Sequence, residues 1–336
     1  MKRNVLALAV GAALVLPLVA QAAPTVYGRL NLSVDYMDVD DGTKTDGGWA
    51  LNSNASRVGV KGNEKLSDEF TVVYKAEWEV QGDVKAASEL DARERYIGLK
   101  HFQWGTVRLG YIDSPLKNAE DSVDVFNDHS ELDMGNFIYG QKRLGNSLNY
   151  VSPKFLDVFG ANVSLVPGEK QLTATVGPEE NHLADGYSAA FSYEDDSLYL
   201  GAALDKEIED MDAVRLNARF KMGDLTLSGM YQTAENSFGP SETEESVVGS
   251  FTYDLDKWTV RGQYLQSNKD KFDVGSGLNQ QTNTILIGGG IDYSFTQSTK
   301  VYGNAASIVK DDKYSYVDGA KDRKGFLVGA GIETRF

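Results

Sequence analysis

From Val26 to Tyr36 the chain switches character at every residue. Val26, Gly28, Leu30, Leu32, Val34 and Tyr36 fall on one face, and Tyr27, Arg29, Asn31, Ser33 and Asp35 on the other. A two-residue period is that of a β-strand. The pattern returns at Phe70–Gln81, where Phe70, Val72, Tyr74, Ala76, Trp78 and Val80 oppose Lys75, Glu77, Glu79 and Gln81. It returns again around Val214–Lys221, Leu225–Gln232, Ile285–Phe295 and Phe326–Phe336, and no helical stripe of similar length competes. Several runs reach ten residues or more. Strands of soluble proteins usually stop at about 5–6 residues, whereas a tilted strand crossing a bilayer takes about 9–11.

Polar stretches separate the runs, in two sizes. Asp38–Gly48, Gln81–Glu89, Gln171–Asp185, Ala234–Glu245, Asn268–Gln281 and Asp311–Arg323 read as long loops, and Lys61–Ser67, Phe102–Gly105, Glu194–Ser197 and Tyr253–Lys257 as tight turns. Long connections on one side and short ones on the other are the asymmetry of an outer-membrane barrel. Strand starts fall near Thr25, Ser53, Glu69, Asp91, Thr106, Ser147, Val158, Tyr187, Leu198, Val214, Leu225, Ser246, Trp258, Thr284, Lys300 and Lys324. The expected fold is therefore all-β, a 16-stranded antiparallel transmembrane β-barrel. In hydrocarbon the sheet must close, because an open edge leaves backbone groups unpaired.

The first 22 residues read differently. Lys2 and Arg3 precede an uncharged apolar run from Val5 to Ala20, and Ala20-Gln21-Ala22 is a small-x-small cleavage pattern. The run is too short for a spanning helix and reads as a secretory signal. Residues 1–22 are thus expected to be removed and 23–336 to form the barrel, lowering the net charge from −16 to −18. With no cysteine and a strongly acidic balance, the chain offers no disulfide scaffold, no thiolate chemistry and no basic surface for nucleic acid.

About sixteen strands enclose a lumen too wide for side chains to fill. The 29 residues from Ser114 to Lys142 are the connection best suited to narrow it. They carry apolar residues (Leu116, Val123, Val125, Phe126, Leu132, Met134, Phe137, Ile138) and six acids, Glu120, Asp121, Asp124, Asp128, Glu131 and Asp133. This third loop is expected to fold inward and present an acidic edge. Alternation puts Arg29, Arg57, Arg93, Arg95 and Arg108 on the inward phase opposite, although Ile97 and Leu99 share the phase of Arg95. Carboxylates facing guanidiniums across the gap would set a transverse field. Arg215, Arg219 and Arg261, on later strands, read as lumen lining.

The stretches VYGRLNLSVDY, SRVGVKGNEKL, RERYIGLKHFQWGTVRLGY and RLGNSLNYVSPKF, with the terminal Phe336, resemble the Gram-negative general porins over the whole chain after the leader. The resemblance implies a homotrimer of barrels, each with its own pore and an inward third loop. It places Arg29, Arg57 and Arg93 in the family's basic constriction cluster, and Arg143 as the arginine that opens the motif after the loop. Relatives often carry an arginine after the V-x-L-G of the fifth strand, where this chain has Tyr111. The loop acids follow no fixed motif, so Asp121 and Asp124, with Glu120 and Asp128, are assigned to the acidic side by position. Phe336 matches the C-terminal signal read by the barrel-assembly machinery.

The function these features imply is passive diffusion of small hydrophilic solutes and ions across the outer membrane, with no cofactor and no metal. Expected partners are the solutes, outer-membrane lipid and lipopolysaccharide, further copies of the chain, and the assembly machinery. Two other classes remain open at this point: a barrel enzyme, for which only His129 and His182 lie in loops, and an adhesin with a plugged lumen.

Overall fold

The computed structural model describes residues 23–40, 45–83, 90–168, 182–238, 242–273, 278–314 and 322–336. The leader at 1–22 lies outside the described residues, as do residues 169–181, which include most of the long connection expected at 171–185, and parts of several others.

Among the described residues the strands are β1 (Thr25–Asp40), β2 (Thr45–Ser53), β3 (Arg57–Lys65), β4 (Phe70–Val80), β5 (Leu90–His101), β6 (Gly105–Asp113), β7 (Arg143–Val151), β8 (Phe159–Val166) and β9 (Gly186–Glu194). They continue as β10 (Leu198–Ile208), β11 (Met211–Met222), β12 (Leu225–Asn236), β13 (Glu242–Leu255), β14 (Trp258–Asp273), β15 (Leu278–Ser294), β16 (Thr299–Tyr314) and β17 (Asp322–Arg335). Every neighbouring pair is antiparallel, and β1 pairs with β17 from Arg29–Arg335 to Asp40–Lys324, closing the sheet. The upper half of β1 pairs with β2 and its lower half with β3, so these two segments share one position in the wall. The barrel therefore has sixteen staves, the second broken at Asn54–Ser56. The C-terminus seals the seam: the Gly28 N–H donates to the Phe336 carbonyl at 2.8 Å, and the Phe336 N–H returns to Gly28 at 3.1 Å.

Outward positions are the apolar ones. Leu30, Val34, Val214, Leu216, Ile287, Ile291, Val328 and Ile332 are all exposed on the single barrel, where lipid or a neighbour would cover them. Asn31, Ser33, Asp35, Asn149, Ser164, Asn217 and Gln263, one residue off in phase, are buried on the inner side.

The expected long loops at Asp38–Gly48, Ala234–Glu245, Asn268–Gln281 and Asp311–Arg323 are corrected. Strands β1, β12, β14 and β16 run on into these stretches, and their partners begin within them. The physical reason is the solvent. Beyond the hydrocarbon both faces of a strand are wet, so alternation ceases while the backbone ladder continues.

A second departure concerns the inner face. Met230, Val248, Leu265 and Leu286 lie opposite one another in register across β12–β15, and Leu286 pairs with Ile308 of β16. Together with Ala306 and Leu327 they form an apolar band on the lumenal side, all of it buried apart from the partly covered Ile308.

Candidate functional site

The segment from Ser114 to Lys142 is built to stand against that band. Ser114 caps a short helix, α1 (Pro115–Asn118), its side chain accepting from the Lys117 N–H at 3.0 Å, with Pro115 at the first turn, where no donor is needed. The Asp124 carboxylate accepts from the backbone of Phe126 at 3.0 Å and of Met134 at 2.8 Å, tying the segment to itself. Val123, Phe126, Leu132, Met134 and Ile138 are thereby turned to one side and packed on the apolar band. Each such side chain contributes on the order of 1.5–3 kcal/mol when removed from water. Phe126 comes so close to β15 that a Cβ on Gly288 would lie 2.7 Å from its ring, which makes glycine a requirement there. The Arg261 guanidinium covers the ring at 4.9 Å and donates to the Val125 carbonyl.

Polar anchors hold the base of the segment. Arg215, fully buried, donates to Gln232 at 2.7 Å, to the carbonyls of Leu116 and Tyr139 at 3.1 Å each, and to Glu120 at 3.4 Å. Burial pushes the Glu120 carboxyl up to about 7, against the opposing pull of Arg215 and the Gln141 amide. Burial likewise raises Asp124, with Asp133 and Glu120 adding to the effect.

The tip reaches the opposite wall. Asp128 takes a contact from Arg29 at 3.0 Å, a hydrogen bond from Arg57, and a longer approach from Arg93 at 3.7 Å. Burial opposes ionisation of Asp128, but Arg57, Arg29 and Arg93 outweigh it and hold the carboxyl below the usual range. Backbone and amide bonds fix the tip alongside. The Ser130 N–H donates to Asn54 Oδ1 at 2.9 Å, and Asn54 Nδ2 donates to Ser33 and Tyr302, so the break in the second stave is a docking point. His129 Nε2 stands 3.8 Å from Asp35 Oδ1.

The guanidiniums are not alone on their wall. Arg93 Nε donates to Glu77 at 2.7 Å and its Nη1 to Glu79 at 3.0 Å; Arg57 lies 3.9 Å from Glu77. Arg29 lies 3.7 Å from Glu333, and Lys75 pairs with Glu94 at 2.7 Å. A cavity of about 310 Å³ remains between segment and wall, bordered by Glu79, Arg93, Arg143, Lys117, Asp128 and Asp133.

A family model described as Gram-negative porin matches residues 7–313. The chain belongs to the Gram-negative porin family. Outer membrane porin protein 32 of Delftia acidovorans is 26% identical over 337 residues, covering 93% of this chain and 91% of that one. Major outer membrane protein P.IB of Neisseria sicca is 26% identical over 310 residues, 86% of this chain and 79% of its own. In fold the barrel is similar to an anion-selective porin from Comamonas acidovorans, with a TM-score of 0.69 at 21% identity over 93% of this chain and 99% of that chain. It is also similar to Salmonella typhi OmpF in complex with daunomycin, with a TM-score of 0.68 at 16% identity over 93% and 97%. This porin is a passive diffusion channel of the Gram-negative outer membrane.

Within the porin, the structure brings Arg29, Arg57 and Arg93 together on Asp128 and sets Arg143 at the cavity edge, 2.9 Å from Asp113. Arg108 faces inward apart from them, donating twice to Asn149 Oδ1. Arg95 is a correction. Register slips between Ala76 and Trp78, which face Arg95 and Ala92, so one extra residue sits in β5. This bulge flips the phase. Arg95 is exposed on the outer face with Ile97 and Leu99, its guanidinium 5.9 Å from the Tyr111 ring. The acids are corrected too. Glu120 and Asp124 are buried in the segment's own framework, Asp121 pairs with Arg219 at 2.8 Å, and Asp128 touches the arginines directly instead of facing them across a gap. Arg215, Arg219 and Arg261, expected to line the lumen, bind the segment from the inner wall. Lys75, Glu77 and Lys117 belong to the charged surface and were not singled out, whereas Asp133 was named only among the six acids of the segment. Lys75 and Glu77 stood on the polar phase of β4, which was the available signal.

Proposed function

We propose that solutes and ions cross this porin through the opening between segment 114–142 and the wall of β1 and β3–β7, where size and charge are sorted. Arg29, Arg57, Arg93 and Arg143 form its basic side, Asp128 its acidic contribution, and Arg108 a station further along the lumen. The observation that carries the reading is the tip of the segment seated by Asp128 on three arginines, with the charged cavity beside it. Small hydrophilic solutes pass down their gradients, and no covalent step is involved. The barrels assemble as a homotrimer, their apolar outer faces meeting lipid, lipopolysaccharide or one another. Phe336, exposed at the end of β17, is presented to the assembly machinery before the seam closes. Residues 1–22 direct export and are removed.

Planar-bilayer recording of the purified protein tests this. Stable ohmic steps, arriving in threes, are expected. Silence from a preparation whose barrel is folded by heat-shift on a gel would overturn it.

A further inference from the structure

The charge of the lumenal wall has a feature that the arginine ladder alone would hide. Three guanidiniums, Arg29, Arg57 and Arg93, meet Asp128 from the segment and, from β4, Glu77 and Glu79. Glu77 is held from four sides: by Arg93 at 2.7 Å, Tyr27 at 2.8 Å, Lys75 at 3.5 Å and Arg57 at 3.9 Å. Glu79 is the more open of the two and borders the cavity with Arg93 and Arg143. Around them Lys75 pairs with Glu94 and Arg335 with Glu333, while Arg143 and Lys117 share Asp113 and border the cavity together with Asp133.

We infer that Glu77 and Glu79 determine the ion selectivity of this channel, cancelling the arginine cluster so that the opening does not concentrate anions. The inference rests on the reading of this opening as the ion path. Three positive charges with Asp128 alone would leave a positive excess within one Debye length, about 10 Å at 0.1 M salt, of any ion in the gap. A fixed charge of that kind raises the local concentration of the opposite ion and sets pore selectivity. With Glu77 and Glu79 ionised the cluster is balanced, and the acidic excess of the whole chain then tips the opening toward cations. These carboxylates do not act by shape. Glutamine at both positions keeps the shape and one acceptor oxygen for Arg93, while at position 77 its amide N–H takes the place of the second oxygen and donates to the Tyr27 hydroxyl oxygen.

The test is the reversal potential of the protein in planar bilayers under a KCl gradient at low salt. The native channel is expected to be weakly cation-preferring, and Glu77→Gln with Glu79→Gln to reverse the sign. The K⁺-to-Cl⁻ permeability ratio should fall roughly sevenfold, the change a one-kT rise in local potential makes in the two ions together. Glu79→Gln alone, at the more exposed position, should move it part of the way and carries the test if the double variant does not fold. A native channel already strongly anion-preferring, or folded variants with an unmoved reversal potential, would overturn the inference while leaving the channel intact. Absence of any conductance in the native protein would instead remove the channel reading, and this one with it.

Discussion

Two carboxylates of one segment carry opposite proton affinities, and their neighbours explain why. Glu120 is buried, and although Arg215, Gln141 and Lys117 favour its charge, burial prevails and its carboxyl rises to about 7. A proton is therefore held more tightly in the docked segment than in water, where the ordinary value is 4.5. Docking from this residue is strongest below about 4.5 and weakens as pH rises through about 7. Glu120→Gln should weaken that dependence, leaving the share that Asp124 contributes, read as protease nicking of residues 114–142 in the detergent-solubilised barrel at pH 5 and pH 8; a variant still pH-dependent to the same degree would refute it. Asp128 behaves in the other sense. Three arginines hold it below the ordinary range, so its contribution is present above about 3.9 and is lost only as pH falls through the depressed value. Asp128→Asn should free the tip at every pH, leave the arginines without their shared partner, and speed liposome swelling by larger sugars. Unchanged swelling would count against the tip as the sieve.

For an element to seat inside a barrel, the wall must offer it a dry patch, and the band on β12–β17 does so. Removing the Phe126 ring opens a gap beside Gly288 and uncovers Arg261; large-to-small changes of this kind cost about 3–5 kcal/mol in a close-packed site. Here that cost falls on docking and not on the barrel. Phe126→Ala should therefore give noisy, flickering conductance with the heat-shift temperature of the barrel unchanged, and quiet steps would contradict it. The same band left a signal in the sequence that the reading by alternation passed over. Gly229-Met230-Tyr231, Val247-Val248, Tyr264-Leu265, Ile285-Leu286-Ile287 and Phe326-Leu327-Val328 interrupt strict alternation with adjacent apolar residues. That is the mark of strand buried on both faces, and it announces where the segment lies. The phase of Arg95 was not legible in the same way. A bulge adds one residue to one strand and shows only when the partner's residues are counted across the pair. The individual partners of Glu120, Asp121 and Asp124 were equally out of reach. They are set by the path of an irregular segment, which has no period to read.

At the scale of the whole molecule, the stave count, the closure and the direction of most side chains follow from the two-residue period alone, because lipid on one side and water on the other impose it. The period fails where that contrast fails: past the hydrocarbon, where strands outrun the expected loops, and under segment 114–142, where the inner wall is dry. The absence of cysteine allows single thiols to be placed at will. Arg108 and Leu109 are neighbours on β6, one turned to the lumen and bound to Asn149, the other 55% exposed on the outer face. The most direct measurement is labelling of Arg108→Cys and Leu109→Cys in lipid vesicles with a charged, membrane-impermeant thiol reagent. A water-filled tube requires fast modification of the first and almost none of the second. Equal protection of both would mean a lumen without water, and faster labelling of position 109 would mean that the wall faces the other way.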